Sequence, residues 1–316
     1  RRVLRARVAV TRHNRHMTPA RGRIVVATNP NASFGRNRAV GPRTAERLEA
    51  AGYDVAMLRE PNFELLRRET EAAVRGGADA LVVVGGDGMV SLGVNLVAET
   101  ELPLGVVGAG TGNDLARALG LPYDDPDAAI DALLDAMGRP PRTIDAATVR
   151  HGDLTTWYAC VLSAGFDAIV NDRANRMTRP RGPSRYTLAL ARELATFTPR
   201  EYVLTIDGEV RKQRAMLVSV ANTPSLGGGM RIAPAAEVED GLLDVFIVHP
   251  IGRVGLVRVF PRVYSGTHVD HPAVELLRAR SVRIEAADVV TYADGERLGP
   301  LPVEVTARPG ALRVFT

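Results

Sequence analysis

The sequence predicts an α/β N-terminal domain on a doubly wound, mostly parallel sheet, then a C-terminal antiparallel β-sandwich domain. Three observations carry this expectation. Apolar, β-branched runs alternate with helical stretches in the first half of the chain, which is the pattern of a parallel sheet covered on both faces. The texture changes at Gly138-Arg-Pro140-Pro141, after which short β-like runs follow one another between turn residues, as in a sandwich. Three polar or Gly-rich turns, Asn29 to Gly35, Gly85 to Met89 and Gly108 to Asp114, follow strands. They fall at the sheet edge where such folds bind ligands.

Taken in order, Arg23 to Thr28 reads as a strand ending at Asn29-Pro30, and Val40 to Ala51 as a helix closed by Gly52. Tyr53 to Leu58 is the second strand, Phe63 to Arg75 a helix ending at Gly76-Gly77, and Leu81 to Val84 the third strand. Val90 to Val97 begins as a helix, Leu104 to Val107 is the fourth strand, and Leu115 to Leu119 is helical. The later β-like runs are Ile144 to Val149, Thr155 to Leu162, Tyr202 to Ile206, Ala215 to Ala221, Leu243 to Val248, Ser281 to Ala286 and Val303 to Ala307, with a helical insertion at Ala168 to Phe197. The expected domains are 22–142 and 143–307, with 308–316 a candidate to return to the first. The cleft between them is the expected active site.

Residues 1–21 carry seven arginines and no acidic residue. They read as a flexible basic tail, as an upstream extension of a chain that begins at Met17, or as a weak tether to anionic lipid.

The composition excludes several classes. No uninterrupted apolar run reaches the ~18 residues of a membrane span. A single cysteine, Cys160, allows no internal disulfide and suits a reducing cytosol; its apolar surroundings read as core. Among 40 basic residues there is one lysine, Lys212, far from any Gly-rich loop. The Walker A motif and the protein-kinase fold each need a phosphate-binding lysine at a fixed place, so both are excluded. Any nucleoside triphosphate must meet backbone N–H groups, metal ions and arginine instead.

The most informative stretch is Leu81-Val-Val-Val-Gly85-Gly86-Asp87-Gly88-Met89, a buried strand stopping at a glycine turn before a helix. Glycines let backbone N–H groups approach an anion, and the helix N-terminus adds positive dipole. Asp87 would repel a phosphate unless a metal ion or hydroxyl came between them. The plainer reading is a tight turn with Asp87 capping the helix. Gly110-Thr111-Gly112-Asn113-Asp114 is a second such turn, or a helix start capped by Asn113 or Asp114. The alternation of Gly108, Gly110 and Gly112 also suggests a dinucleotide fingerprint, disfavoured because its third glycine falls on Asn113 and no acidic residue follows about twenty positions on in a βαβ context.

Together these turns resemble the diacylglycerol kinase catalytic-domain family, in the superfamily that also holds sphingosine and ceramide kinases. The matching pieces are Asn29-Pro30 with Ser33 and Gly35, Gly85-Gly86-Asp87-Gly88, Gly110-Thr111-Gly112-Asn113-Asp114, Asp240-Gly241-Leu242-Leu243-Asp244 and Asp294-Gly295-Glu296. They come in the family's order and cover nearly the whole chain beyond the tail. Asn171 to Met177 is particularly like soluble actinobacterial members. The resemblance implies that ATP lies across Asn29, Pro30, Asn31, Ala32, Ser33, Arg59, Gly85, Gly86, Asp87, Gly88, Met89, Val90, Ser91 and Thr111. It implies that Asp87 and Asp114 organise a catalytic Mg2+, and that Glu296 is the general base for a lipid hydroxyl. It also implies a second, structural Mg2+ on Asp240 with the backbone carbonyls of Glu237 and Leu242. The sequence departs from the family at Met89, Ser91 and Arg59, where the family has threonine, asparagine and threonine, and in the longer first loop.

The activity so implied is transfer of the γ-phosphoryl of ATP to diacylglycerol, giving phosphatidic acid. A sphingoid base or another lipid alcohol, NAD phosphorylation, and a non-catalytic nucleotide or lipid sensor remain as alternatives. No Thr-Pro-Thr-Gly-Ser-Thr-like segment supports the NAD reading, since Thr223-Pro-Ser-Leu-Gly matches it poorly. The expected setting is cytoplasmic, peripheral to the inner face of the plasma membrane, with a lipid substrate and no nucleic acid; a homodimer is left open. Arg173, Arg176, Arg179, Arg181 and Arg185 read as a solvated basic face or as a patch for anionic headgroups. Asp207-Gly208-Glu209 repeats the Asp-Gly-Glu signature and is assigned to a turn. His268-Val-Asp270-His271 is expected to be a solvated loop.

Overall fold

A computed structural model describes residues 21–30, 38–165, 177 and 198–316. Most of the basic tail, Asn31 to Ser33, and the insertion apart from Met177, with Arg173, Arg176, Arg179, Arg181 and Arg185, lie outside the described residues.

The first half folds as β1 (Arg23–Thr28), α1 (Val40–Ala50), β2 (Asp54–Arg59), α2 (Phe63–Arg75), β3 (Ala80–Gly85), α3 (Asp87–Val97), β4 (Leu104–Gly108), α4 (Asp114–Ala118) and α5 (Pro126–Ala136). β2, β1, β3 and β4 lie side by side and parallel. β1 and β3 are almost continuously apolar because both faces are covered. Val25, Ala27, Leu81 and Val83 pack with α3, whereas Ile24, Val26, Val82 and Val84 pack with α1 and α5. Each such fully buried side chain contributes roughly 1.5–3 kcal/mol.

Two helix signals differ from the sequence reading. α3 starts at Asp87 rather than Val90, since the Gly86 carbonyl already accepts from the N–H groups of Met89 and Val90. α5 was not anticipated, although Asp125-Pro126 announces it: the Asp125 carboxylate accepts from the Asp127 and Ala128 N–H groups, and proline occupies the first turn.

The second half supplies β5 (Arg142–His151), β6 (Leu154–Tyr158), β7 (Val161–Gly165), β8 (Arg200–Ile206), β9 (Glu209–Ala215), β10 (Leu217–Ala221) and β11 (Leu243–Val248). α6 (Arg253–Val259) and α7 (Arg262–Ser265) follow, then β12 (Val274–Ala279), β13 (Ser281–Glu285), β14 (Val290–Ala293), β15 (Glu296–Pro300) and β16 (Val303–Val314). A six-stranded sheet runs β12-β11-β10-β7-β14-β15, and every pairing within it is antiparallel. It faces β5, β6, β8, β13 and β16 across a core that includes Val149, Tyr158, Leu162, Tyr202, Val218, Val245, Ile284 and Val305. Two runs read as single strands are each split between sheets. Thr155 to Leu162 breaks at Ala159-Cys160 into β6 and β7, and Ala215 to Ala221 breaks into the end of β9 and β10.

β16 joins the two halves. It pairs antiparallel with β13 and β5, bends between Arg308 and Leu312, and ends parallel to β4 at Val314 and Leu104. The first sheet is therefore continuous into the sandwich, ten strands in all. Asn95 on α3 adds a second join, donating to the Trp157 carbonyl and accepting from its N–H, both at 2.9 Å.

Asp145, buried in β5, pins the bend. Its two oxygens accept from the N–H groups of Gly241 and Gly310, each at 2.7 Å. Asp145→Ala leaves both donors without an acceptor. It is expected to lower the unfolding free energy by about 2–4 kcal/mol, and Asp145→Asn by about half as much, in urea denaturation. An unchanged midpoint in Asp145→Ala would show the anchor to be dispensable.

Candidate active site

The carboxyl ends of β1 to β4 converge on one edge, because their register pairs Thr28 with Arg59 and Val84, and Gly85 with Gly108. The loops after β3 and β4 touch through their backbones. A Cβ at Gly110 would lie 2.3 Å from the Gly86 Cα, which no side chain permits. The glycines are required here by this close approach.

Asp87 does not cap its own helix. Its carboxylate reaches across to α4 and accepts from the N–H groups of Asn113 (3.2 Å) and Asp114 (2.8 Å). Asn113, the left-handed residue before α4, closes its loop instead, accepting from the Gly110 N–H and donating to the Tyr123 carbonyl. Asp114 then turns outward and accepts from the N–H groups of Gly227 (2.6 Å) and Gly228 (2.9 Å) in the sandwich domain. Those amides are presented by a turn in which Gly227, Gly228 and Gly229 all have positive φ. A third carboxylate, Asp294, accepts from three successive amides, Ala159, Cys160 and Val161, at the break between β6 and β7.

Asp87, Asp114 and Asp294 line one cleft of about 270 Å³ with Val90, Cys160, Val161 and Leu226. Burial is the main cause of their raised proton affinities. Asp114 is pushed up to about 7 by burial and then by the charges of Asp87 and Asp294. Asp294 is pushed up to about 6 by burial, its three amide donors acting in the opposite direction. Asp87 is raised by burial against the pull of its two amide bonds and of Arg117. The Cys160 thiol, buried beside them, is held protonated.

Glu296 stands at the mouth of this cleft. A Cβ at Gly88 would lie 3.0 Å from Glu296 Oε1, so the carboxylate sits against the first turn of α3. The residue is exposed, yet desolvation of the carboxylate by the surrounding protein raises its pKa as well. It is carried by the β14–β15 hairpin, whose turn residues Asp294 and Gly295 both have positive φ. Asp207 and Gly208 make the same kind of turn between β8 and β9. There, however, the aspartate accepts from the Arg280 and Ser281 N–H groups, outside the cleft.

Other candidates are distributed less evenly. Asn29 and Pro30 lie at the end of β1, Arg59 is exposed at the end of β2, and Thr111 is exposed after β4. Met89 turns its side chain into the core beneath Gly85, so this position can offer a ligand only backbone. Ser91 is buried in α3. Asp240 accepts from the Leu242 N–H and lies beside Arg278, and the neighbouring Asp244 is pushed up to about 6 by burial and then by the charge of Glu237. His268 is fully buried, with Nε2 against the Ile232 carbonyl, which replaces the expected solvated loop.

Several residues here were not picked out from sequence. Asp294 is visible in the sequence only as part of the Asp294-Gly295-Glu296 signature, which assigns a role to Glu296 alone. Gly227 to Gly229 carried a visible signal, three glycines in a row. Arg117 bonds the Gly112 carbonyl and stacks at 3.7 Å on Tyr123; a lone arginine on a short helix gave no signal.

A second cavity of about 740 Å³ adjoins the cleft, the two sharing Leu226. Its walls are almost wholly apolar, among them Met230, Phe246, Leu256, Phe260 and Val263. Among the described residues no three His, Cys, Asp or Glu side chains form a metal-binding group by themselves. The carboxylates of the cleft do match the use of Mg2+ with one or two carboxylates, substrate phosphate and water.

The family profile described as "Diacylglycerol kinase catalytic domain" matches residues 23–149, and that described as "YegS C-terminal NAD kinase beta sandwich-like domain" matches residues 160–316. A diacylglycerol kinase of Mycobacterium tuberculosis is 39% identical over 296 residues, covering 93% of this chain and 95% of its own. One from Bacillus subtilis is 28% identical over 265 residues, 82% of this chain and 84% of its own. The crystal structure of a diacylglycerol kinase from Bacillus anthracis superposes with a TM-score of 0.69 at 20% identity, over 94% of this chain and 97% of that one.

Asp114 and Asp294 bind their protons more tightly folded than unfolded, where an aspartate titrates near ~3.9. The stability they contribute is therefore present below about pH 4 and is lost as pH rises through about 6 to about 7. Asp114→Asn is expected to show a smaller fall in unfolding free energy between about pH 5 and about pH 8 than wild type, in chemical denaturation. An identical fall in both proteins would remove Asp114 from that titration.

Proposed function

This chain belongs to the diacylglycerol kinase family of lipid kinases, and from that premise we propose that it transfers the γ-phosphoryl of ATP to the hydroxyl of diacylglycerol, giving phosphatidic acid and ADP. One observation carries the reading: a carboxylate-lined cleft and an apolar cavity meet at Leu226. A phosphoryl donor and a long-chain alcohol need adjoining compartments of these two kinds. A dinucleotide would find few partners in walls so nearly free of polar atoms, which disfavours the NAD alternative.

In this reading the triphosphate lies along the edge formed by Asn29-Pro30, Gly85 to Gly88 and Thr111, with Arg59 and Arg117 as the nearby cations. Glu296 accepts the hydroxyl proton as the alcohol oxygen bonds to the γ-phosphorus and the bond to the ADP oxygen breaks. A carboxylate of raised pKa suits that role, since proton transfer is most effective when the base's pKa lies near the operating pH. Asp87 and Asp114 have their oxygens oriented by backbone amides and would hold the cation. Mg2+, when bound, neutralises the charge developing on the phosphoryl oxygens. Asp240, with the backbone carbonyls of Glu237 and Leu242, would hold a second, structural Mg2+ on this reading.

The test is a radiolabelled-ATP assay against a panel of lipid alcohols, including diacylglycerol and a sphingoid base. Glu296→Gln is expected to keep its fold by circular dichroism and to lose roughly 10²- to 10⁴-fold in kcat. Near-normal turnover in that variant would sink the assignment of the base. The absence of any labelled lipid with wild type would favour the non-catalytic sensor.

A further inference from the structure

We infer that the strap formed by α6 and α7, residues 251–265, is the surface by which this protein docks on an anionic phospholipid bilayer, and the rim over which lipid enters the apolar cavity. The inference rests on the lipid-kinase reading and adds to it a location, distinct from the arginines of the insertion.

The strap is apolar on both sides. Leu256, Val259 and Val263 point inward, and with Ile251 and Phe260 they form part of the cavity wall. Val254, Val257 and Tyr264 point outward and are 66%, 58% and 55% exposed. Among the described residues seven large apolar side chains are exposed, and three of the seven fall on this strap. Here the inner face has its partner and the outer face has none among the described residues.

The charge says what covers the outer face. From Val245 through Val269 the chain has no acidic residue, yet it carries Arg253, Arg258 and Arg262. Arg231 adds a fourth positive charge, its N–H bonded to the Val263 carbonyl at 2.9 Å. Arg253 and Arg258 are exposed and have no carboxylate partner among the described residues. Apolar side chains ringed by arginine are the pattern of a segment that lies in a membrane interface. Two valines and a tyrosine are too little surface for a stable self-association, which needs about 800 Å² from each partner. Like charges would also face each other across such a contact. A bilayer accepts a small apolar wedge and rewards each nearby arginine roughly fivefold in affinity. The cavity lies directly behind the strap, so a lipid alcohol drawn from the bilayer would need to cross only this wall.

The test uses the full chain and vesicles without any lipid alcohol. Wild type is expected to co-sediment with vesicles of phosphatidylglycerol and phosphatidylcholine and not with phosphatidylcholine alone. Arg253→Gln/Arg258→Gln should bind the anionic vesicles about 25-fold more weakly, and Val254→Asp/Val257→Asp at least about tenfold more weakly. Both should phosphorylate a short-chain, freely dissolved lipid alcohol as fast as wild type, while turnover of vesicle-embedded substrate falls with binding. Vesicle binding unchanged in the arginine pair, whose folding is at little risk, would overturn the inference. Loss of a wild-type dimer in the valine pair, with vesicle binding intact, would overturn it too and give the face to self-association. If no lipid is ever phosphorylated but the variants still lose vesicle binding, docking stands and the kinase reading falls.

Discussion

The carboxylate of Asp87 is the interaction on which the rest of this structure depends. It leaves the first turn of one helix and takes the N-terminal amides of the next. That second helix begins with Asp114, whose own carboxylate takes two amides of the glycine turn in the other domain. A chain of hydrogen bonds from backbone amides to carboxyl groups thus runs from the parallel sheet to the sandwich. The relay works only because the two turns approach within backbone contact at Gly86 and Gly110, and because Gly112 leaves room for the Asp87 oxygens. Any side chain at these positions would push α3 and α4 apart and break the first link.

The same relay concentrates charge. Three carboxylates share one cleft, and burial together with mutual repulsion moves Asp114 and Asp294 towards neutrality. The positive charge of Arg117 acts on Asp87 in the opposite direction, and the chain's single lysine lies on β9, outside the cleft lining. On the proposed reading, a divalent ion bound with the nucleotide would offset the repulsion. The apolar cavity behind Leu226 has the complementary character, and the strap that walls it carries the same lack of acidic residues to the surface.

Much of this was legible in the sequence, and the exceptions have physical causes. Phe63 to Arg75 and Leu243 to Val248 match the observed elements to the residue, because amphipathic periodicity and unbroken β-branched runs are local signals. Thr155 to Leu162 did not, because a chain that crosses from one sheet to another stays extended and apolar on both sides of the crossing. Asp294 holds that crossing in place from 134 residues away at Cys160, and sequence distance hides such a bond. Met89 reads as part of a phosphate turn, yet helix geometry rotates it beneath Gly85 into the core.

The sequence by itself determined the alternation of elements, the glycine turns and the exclusion of lysine-based phosphate binding, because each follows from local backbone preference or from residue count. Only the tertiary structure decided which carboxylates act together. Asp207-Gly208-Glu209 and Asp294-Gly295-Glu296 are the same tripeptide in the same left-handed hairpin turn. One faces the end of a surface strand and the other faces the N-terminus of α3. Nothing local separates them; the difference lies in what packs against each turn, and packing is set by long-range burial that no short motif encodes.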